Sequence, residues 1–141
     1  MLVNKYSLTE IYQGRLETGD DLAEELTEFV QGKEIKAGKI SAIGAVQNAT
    51  ISYYDQETKE YGAKEFDEAM EIVNLEGNIS LKDGEPIVHA HIALADEEGN
   101  VYGGHLEEGT TVFACEFVIQ EYDGEALERG FHEMTELPLW E

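Results

Sequence analysis

Three of the four histidines in this 141-residue chain lie close together in the sequence: His89, His91 and His105. Neutral imidazole is a common ligand for zinc and also suits nickel, copper and iron. Spacing turns this grouping into geometry. Residues 87–95 (IVHAHIALA) read as a strand, so His89 and His91 point to one face, about 6.6 Å apart along it. The next segment, DEEGN, places Gly99 where a three-residue hairpin loop, Glu97-Glu98-Gly99, needs a left-handed residue. That loop sets residue 96 opposite 100, then 95 opposite 101, 93 opposite 103, and 91 opposite 105. His105 then lies directly across from His91, with Cβ atoms about 4.5–5.5 Å apart. A two-residue loop would slip the register by one and turn the side chains over.

Three imidazoles converging without a fourth protein ligand make the pattern of an open zinc site. The fourth position is left for water, whose pKa zinc lowers toward ~7. The register extends to Glu107 opposite His89, a candidate to orient a ligand or, as a second role, to act as a general base. Gly103 and Gly104 leave room on the approach to the His105 ring. The alternative is a hydrogen-bonded histidine cluster that titrates near neutral pH. His132, in the polar tail, has no assigned role. Cys115 alternates with Phe113 and Phe117 and reads as a small core residue.

The elements that must carry these residues are mostly strands. Short segments punctuated by 14 glycines and only two prolines mark a strand-rich domain with tight turns. Segments 5–16, 39–54, 71–81, 87–95, VYGGHL and 111–120 read as extended. The first could hold one or two strands, Gly77 is a possible break in the third, and Gly44-Ala45 could mark a bulge. DQETKE and Lys82-Asp83-Gly84-Glu85 read as hairpin turns. Residues 20–31 change period: Leu22, Leu26, Phe29 and Val30 form one apolar stripe. Asp21 and Glu24 resemble a capping box, and Gly32 sits where a helix stops. A helical turn is expected at 125–129, and the apolar end Leu137–Trp140 is expected to pack on its own domain. With no recurring strand–helix–strand alternation, the reading is an α+β fold. It has a mainly antiparallel sheet of about seven strands, one firm helix at about 20–31 and short flanking helical turns. A single domain spanning 1–141 is expected.

Composition excludes several function classes. Nine Lys plus Arg face 31 Asp plus Glu, a net charge of −22. Such a surface repels nucleic acid and anionic lipid, so neither direct DNA binding nor a membrane partner is expected on charge grounds. No apolar run reaches the ~20 residues of a membrane-spanning helix. One cysteine precludes an internal disulfide framework. With no signal peptide visible, a cytoplasmic location is the default expectation. Phosphate-binding loops and serine-nucleophile elbows are absent from the sequence.

The runs GKISAIGAVQNATISYYD, VNLEGNIS and DGEPIVHAHIALADEEGNVYGGHL resemble the PPC (plants and prokaryotes conserved) domain, from Arg15 to about Val118. His-x-His followed by Gly-Gly-His carries the likeness. The resemblance implies a compact α/β fold with about seven mainly antiparallel strands, flanking helices and a homotrimer. It also implies a metal site, most simply zinc, at His89, His91 and His105. Plant members bind DNA through a separate AT-hook, which this chain lacks. The plant partner-binding motif Gly-Arg-Phe-Glu-Ile-Leu corresponds here to Glu68–Val73, where only Glu71 and Ile72 match. The resulting expectation is a metal-binding protein. The competing ones are a metal-dependent enzyme acting on a small-molecule ligand, such as a carboxylate or phosphate, and a DNA-binding protein.

Overall fold

Leu22, Leu26 and Val30 recur every four residues, and the segment they mark is helix α1 (Leu22–Gly32). Asp21, in extended backbone, caps it: its side chain accepts hydrogen bonds from the Ala23 and Glu24 amides. The left-handed residue beyond the helix is Glu34 (φ 56°), not Gly32. The apolar stripe is fully buried. Phe29, on its flank, packs edge-on against Tyr12 and Phe117.

The computed structural model describes residues 1–141. Nine strands accompany the helix: β1 (Ser7–Leu16), β2 (Gly38–Asp55), β3 (Glu60–Phe66), β4 (Met70–Lys82), β5 (Glu85–Ala95), β6 (Val101–Leu106), β7 (Thr111–Asp123), β8 (Glu128–His132) and β9 (Leu137–Trp140). They form one sheet in the order β1-β7-β2-β6-β5-β4-β8-β9, with β3 paired to β2. The long strand β2 also pairs with β4, so β2, β4, β5 and β6 close a ring of pairings. Residues of this ring, with α1, Ile35, Phe66 of β3 and the inward face of β7, make one core of 22 buried side chains.

The expectation of about seven strands is corrected to nine. The additional strands come from the tail: Glu128–His132 is extended, not a helical turn, and pairs with Leu137–Trp140. The flanking helices and helical turns do not form, and α1 is the single helix. The sheet is mixed, because β8 runs parallel to β4 through Leu81↔Glu128 and Lys82↔Arg129; every other strand pairing is antiparallel. Segment 5–16 gives one strand, and Gly77 does not break β4.

The turn signals translate directly. Asp83 (φ 54°) and Gly84 (φ 80°) are both left-handed, as a tight β4–β5 hairpin requires. At Gly44 (φ 148°) the pairing of β2 shifts register against β4. A Cβ there would lie 2.1 Å from the Ala114 carbonyl oxygen, so the bulge admits only glycine. Tail strand β9 folds back on the domain that carries it.

Candidate metal centre

Strand β5 is buried on the face of Ala90, Ile92 and Leu94, which turns His89 and His91 to the opposite face. The DEEGN loop holds the register derived from its length: the Asp96 amide donates to Asn100 O, and His91 pairs with His105 across the β5–β6 hairpin. Ring centroids are 4.9 Å apart for His89 and His105, 5.5 Å for His89 and His91, and 5.6 Å for His91 and His105. One nitrogen from each ring lies within 4.8 Å of the others. Two imidazole nitrogens bound to one zinc ion at ~2.0–2.1 Å sit at most about 4 Å apart. The rings would therefore draw in slightly around an ion, and the donor set suits one.

Burial and neighbouring charge favour the neutral form of two of these imidazoles, His89 and His105. His89 is pushed down to about 4, first by burial and then by the charge of Arg129, His105 and His91. Burial also lowers His105, against the opposing pull of Glu107. Neutral imidazole is the form that binds a metal, so protons compete weakly at these two positions.

Glu107 does not lie opposite His89. Strand β6 parts from β5 after His105 and turns to β2, where His105 pairs with Ser52 and Leu106 with Ile51. The Glu107 amide donates to Thr50 O, and its carboxylate accepts from the Ser52 hydroxyl. Glu107 thus faces the histidine cleft from beside His105. The role of Gly104 also differs from the expected one: a Cβ there would meet the Ser52 carbonyl oxygen at 2.5 Å. Its lack of a side chain lets β2 approach β6, which is a backbone requirement and not a matter of space around the His105 ring.

Asn78 and Ser80 of β4 share the face of the histidines, since Asn78 pairs with His89 and Ser80 with Ile87. Both accept from Arg129: Nη2 donates to Asn78 Oδ1 at 2.9 Å and Nε to Ser80 Oγ at 3.0 Å. Nη1 donates to Pro138 O at 3.0 Å, and Nη2 also lies 3.1 Å from His89 Nδ1. The guanidinium stands 5.4 Å from the Trp140 ring centre. Sequence reasoning missed Arg129. Its only signal was rarity, as one of two arginines in an acidic chain.

Beside the histidines opens a cleft of about 690 Å³, walled by Tyr54, Tyr61, Leu137, Pro138 and Leu139 with Arg129 at its edge. The tail forms one wall and is tied down there. The Tyr54 hydroxyl donates to Thr135 O, and Lys59 pairs with Glu136. The His132 side chain bonds Thr135 Oγ1, at 2.9 Å, and takes no part in the cluster. Cys115 is buried, and burial pushes its thiol up to about 11, which suits a core residue and not a nucleophile.

The Plants and Prokaryotes Conserved domain (PCC, also written PPC) matches residues 4–123. The chain belongs to this family. Among solved structures, a metal-containing protein from Archaeoglobus fulgidus is 48% identical, with 99% of each chain covered and a TM-score of 0.95. A PPC protein from Pyrococcus horikoshii is 40% identical over 100% of this chain and 97% of that one, with a TM-score of 0.94. A proposed DNA-binding protein from Bacteroides thetaiotaomicron is 29% identical over 96% of each chain, with a TM-score of 0.87. The Bifunctional protein GlmU of Synechococcus sp. (strain JA-3-3Ab) is 36% identical over 110 residues, 77% of this chain but 16% of its own length. The chain thus spans about one-sixth of that relative.

Proposed function

We propose that this PPC-family protein binds one divalent transition metal, zinc best matching the donors, through His89, His91 and His105. The observation that carries the reading is the mutual approach of three imidazole nitrogens to within 4.8 Å. The 48% identical relative described as metal-containing supports it. Three protein ligands leave a position open, and a bound zinc there would supply Lewis acidity. This keeps a metal-dependent reaction on a small molecule as the enzymatic version of the same reading. The single buried cysteine goes with a reducing, cytoplasmic setting.

Purified without a histidine tag and supplied with zinc, the protein is expected to hold about one metal per chain. His91→Ala should reduce this below about 0.2 per chain, while its circular dichroism stays that of the parent, because one of only three ligands is gone. Equal metal content in the parent and the variant would contradict the assignment.

A second reading takes its support from relatives described as proposed DNA-binding proteins, including one from Ralstonia eutropha that is 27% identical. The charge of −22 argues against direct contact with a phosphate backbone. No gel shift is expected at ~50 mM salt, where phosphate-driven binding is strong. A shift at ~150 mM that weakens as salt rises would restore this reading.

A further inference from the structure

Arg129 is half-buried in a chain with more than three acidic residues for every basic one, yet it takes part in no ion pair. The three ion pairs are Arg15–Glu17, Lys39–Glu76 and Lys59–Glu136. All four acceptors around Arg129 are neutral: Ser80 Oγ, Asn78 Oδ1, Pro138 O and His89 Nδ1. A guanidinium withdrawn from water without a counter-ion is costly, so the arrangement calls for an anion. Lys82 adds a second cation to the cleft wall, against the single carboxylate of Glu107, which is occupied by Ser52. A divalent ion at the histidines would add two more positive charges beside Arg129.

Counting protons sharpens the point. Guanidinium has five N–H groups, and a neutral imidazole has one nitrogen that can accept. In this structure Arg129 Nη2 holds the accepting nitrogen of His89. A metal ion needs that same kind of nitrogen, so ligation of His89 and its hydrogen bond from Arg129 exclude each other. Loading the centre therefore frees one N–H on Nη2. Nη1 has a second N–H beyond the one given to Pro138 O. One free N–H on each of two adjacent nitrogens is what a carboxylate accepts. The remaining walls, Tyr54, Tyr61, Leu137 and Leu139, offer aromatic and aliphatic surface to the body of such a ligand.

We propose that the cleft binds a small organic carboxylate, its charged end on Arg129 beside the metal position and its apolar body against Tyr54, Tyr61 and the tail strand. The proposal rests on the metal-centre reading above, because occupation of the histidines is what releases Arg129. Benzoate is the probe, benzamide its neutral counterpart, and inorganic phosphate an anion without an apolar body. Metal content is measured first. Isothermal titration of the zinc-loaded protein should then give a benzoate Kd of about 1 mM or tighter. Loss of a charge-assisted hydrogen bond predicts roughly tenfold weaker binding for benzamide and for Arg129→Gln, with metal content retained. Because Arg129→Gln also loosens the tail, Tyr61→Ala is the second variant. It should weaken benzoate and leave phosphate unchanged.

Full metal content with no benzoate binding, or with binding indifferent to both variants, overturns this proposal alone. Phosphate binding as tight as benzoate would also overturn it, since the apolar walls would then contribute nothing. Metal content below about 0.2 per chain defeats the metal reading, and this proposal with it, before any ligand is added.

Discussion

Partial burial, and then the Arg129 guanidinium and two more imidazoles, oppose a proton on His89. The folded protein therefore resists protonating it until about pH 4, whereas the unfolded chain takes up the proton near the ordinary value of 6.5. Between those limits the unfolded state binds more protons, so stability falls as pH is lowered through the window and is fully restored above it. His105 acts in the same direction. The many carboxylates oppose this trend as acid relieves their mutual repulsion, but they do so equally in a variant lacking the imidazole. Metal-free parent protein should thus lose more melting temperature between pH 7 and pH 5 than metal-free His89→Asn. Parallel losses would mean that His89 is free to protonate in the folded state.

The histidine centre depends on the routes of three strands. The β5–β6 hairpin sets His91 against His105, while β2 draws β6 aside immediately afterwards. Gly104 permits that approach, because any Cβ would collide with Ser52 backbone oxygen. Gly104→Ala should cost about 1–3 kcal/mol in urea unfolding, as overpacking does. It should also lower metal content by displacing His105, and a variant with parental stability and metal content would show the contact to be slack. The local part of this arrangement was legible. The DEEGN loop length fixed the 91–105 pairing, the Asp-Gly pair marked the β4–β5 turn, and the four-residue recurrence of Leu22, Leu26 and Val30 marked α1. Pairings between distant segments were not legible. Nothing in VYGGHLEE signals that β6 changes partner after His105, so the hairpin register alone places Glu107 on a ladder that ends two residues earlier. Arg129 arrives through a short parallel pairing of β8 with β4, and neither charge nor periodicity announces it.

For the molecule as a whole, one cleft collects the three histidines and Arg129, and its tail wall is tied to β2 and the β2–β3 turn by Tyr54 and Lys59. The outer surface leaves large apolar side chains uncovered, among them Ile11, Ile43 and Phe113 on β1, β2 and β7. We propose that they are covered in the homotrimer that the family resemblance implies. Sedimentation equilibrium should give three times the chain mass of 15.7 kDa, and a monomer would contradict it.

The central claim is that His89, His91 and His105 hold a metal ion, and anomalous scattering at the zinc edge tests it most directly. Crystals of tag-free, zinc-supplied protein should show one peak per chain at about 2.0–2.1 Å from a nitrogen of each of the three rings, with Arg129 withdrawn from His89. Clear density for the three rings with no peak between them, and Arg129 still bonded to His89, would contradict it.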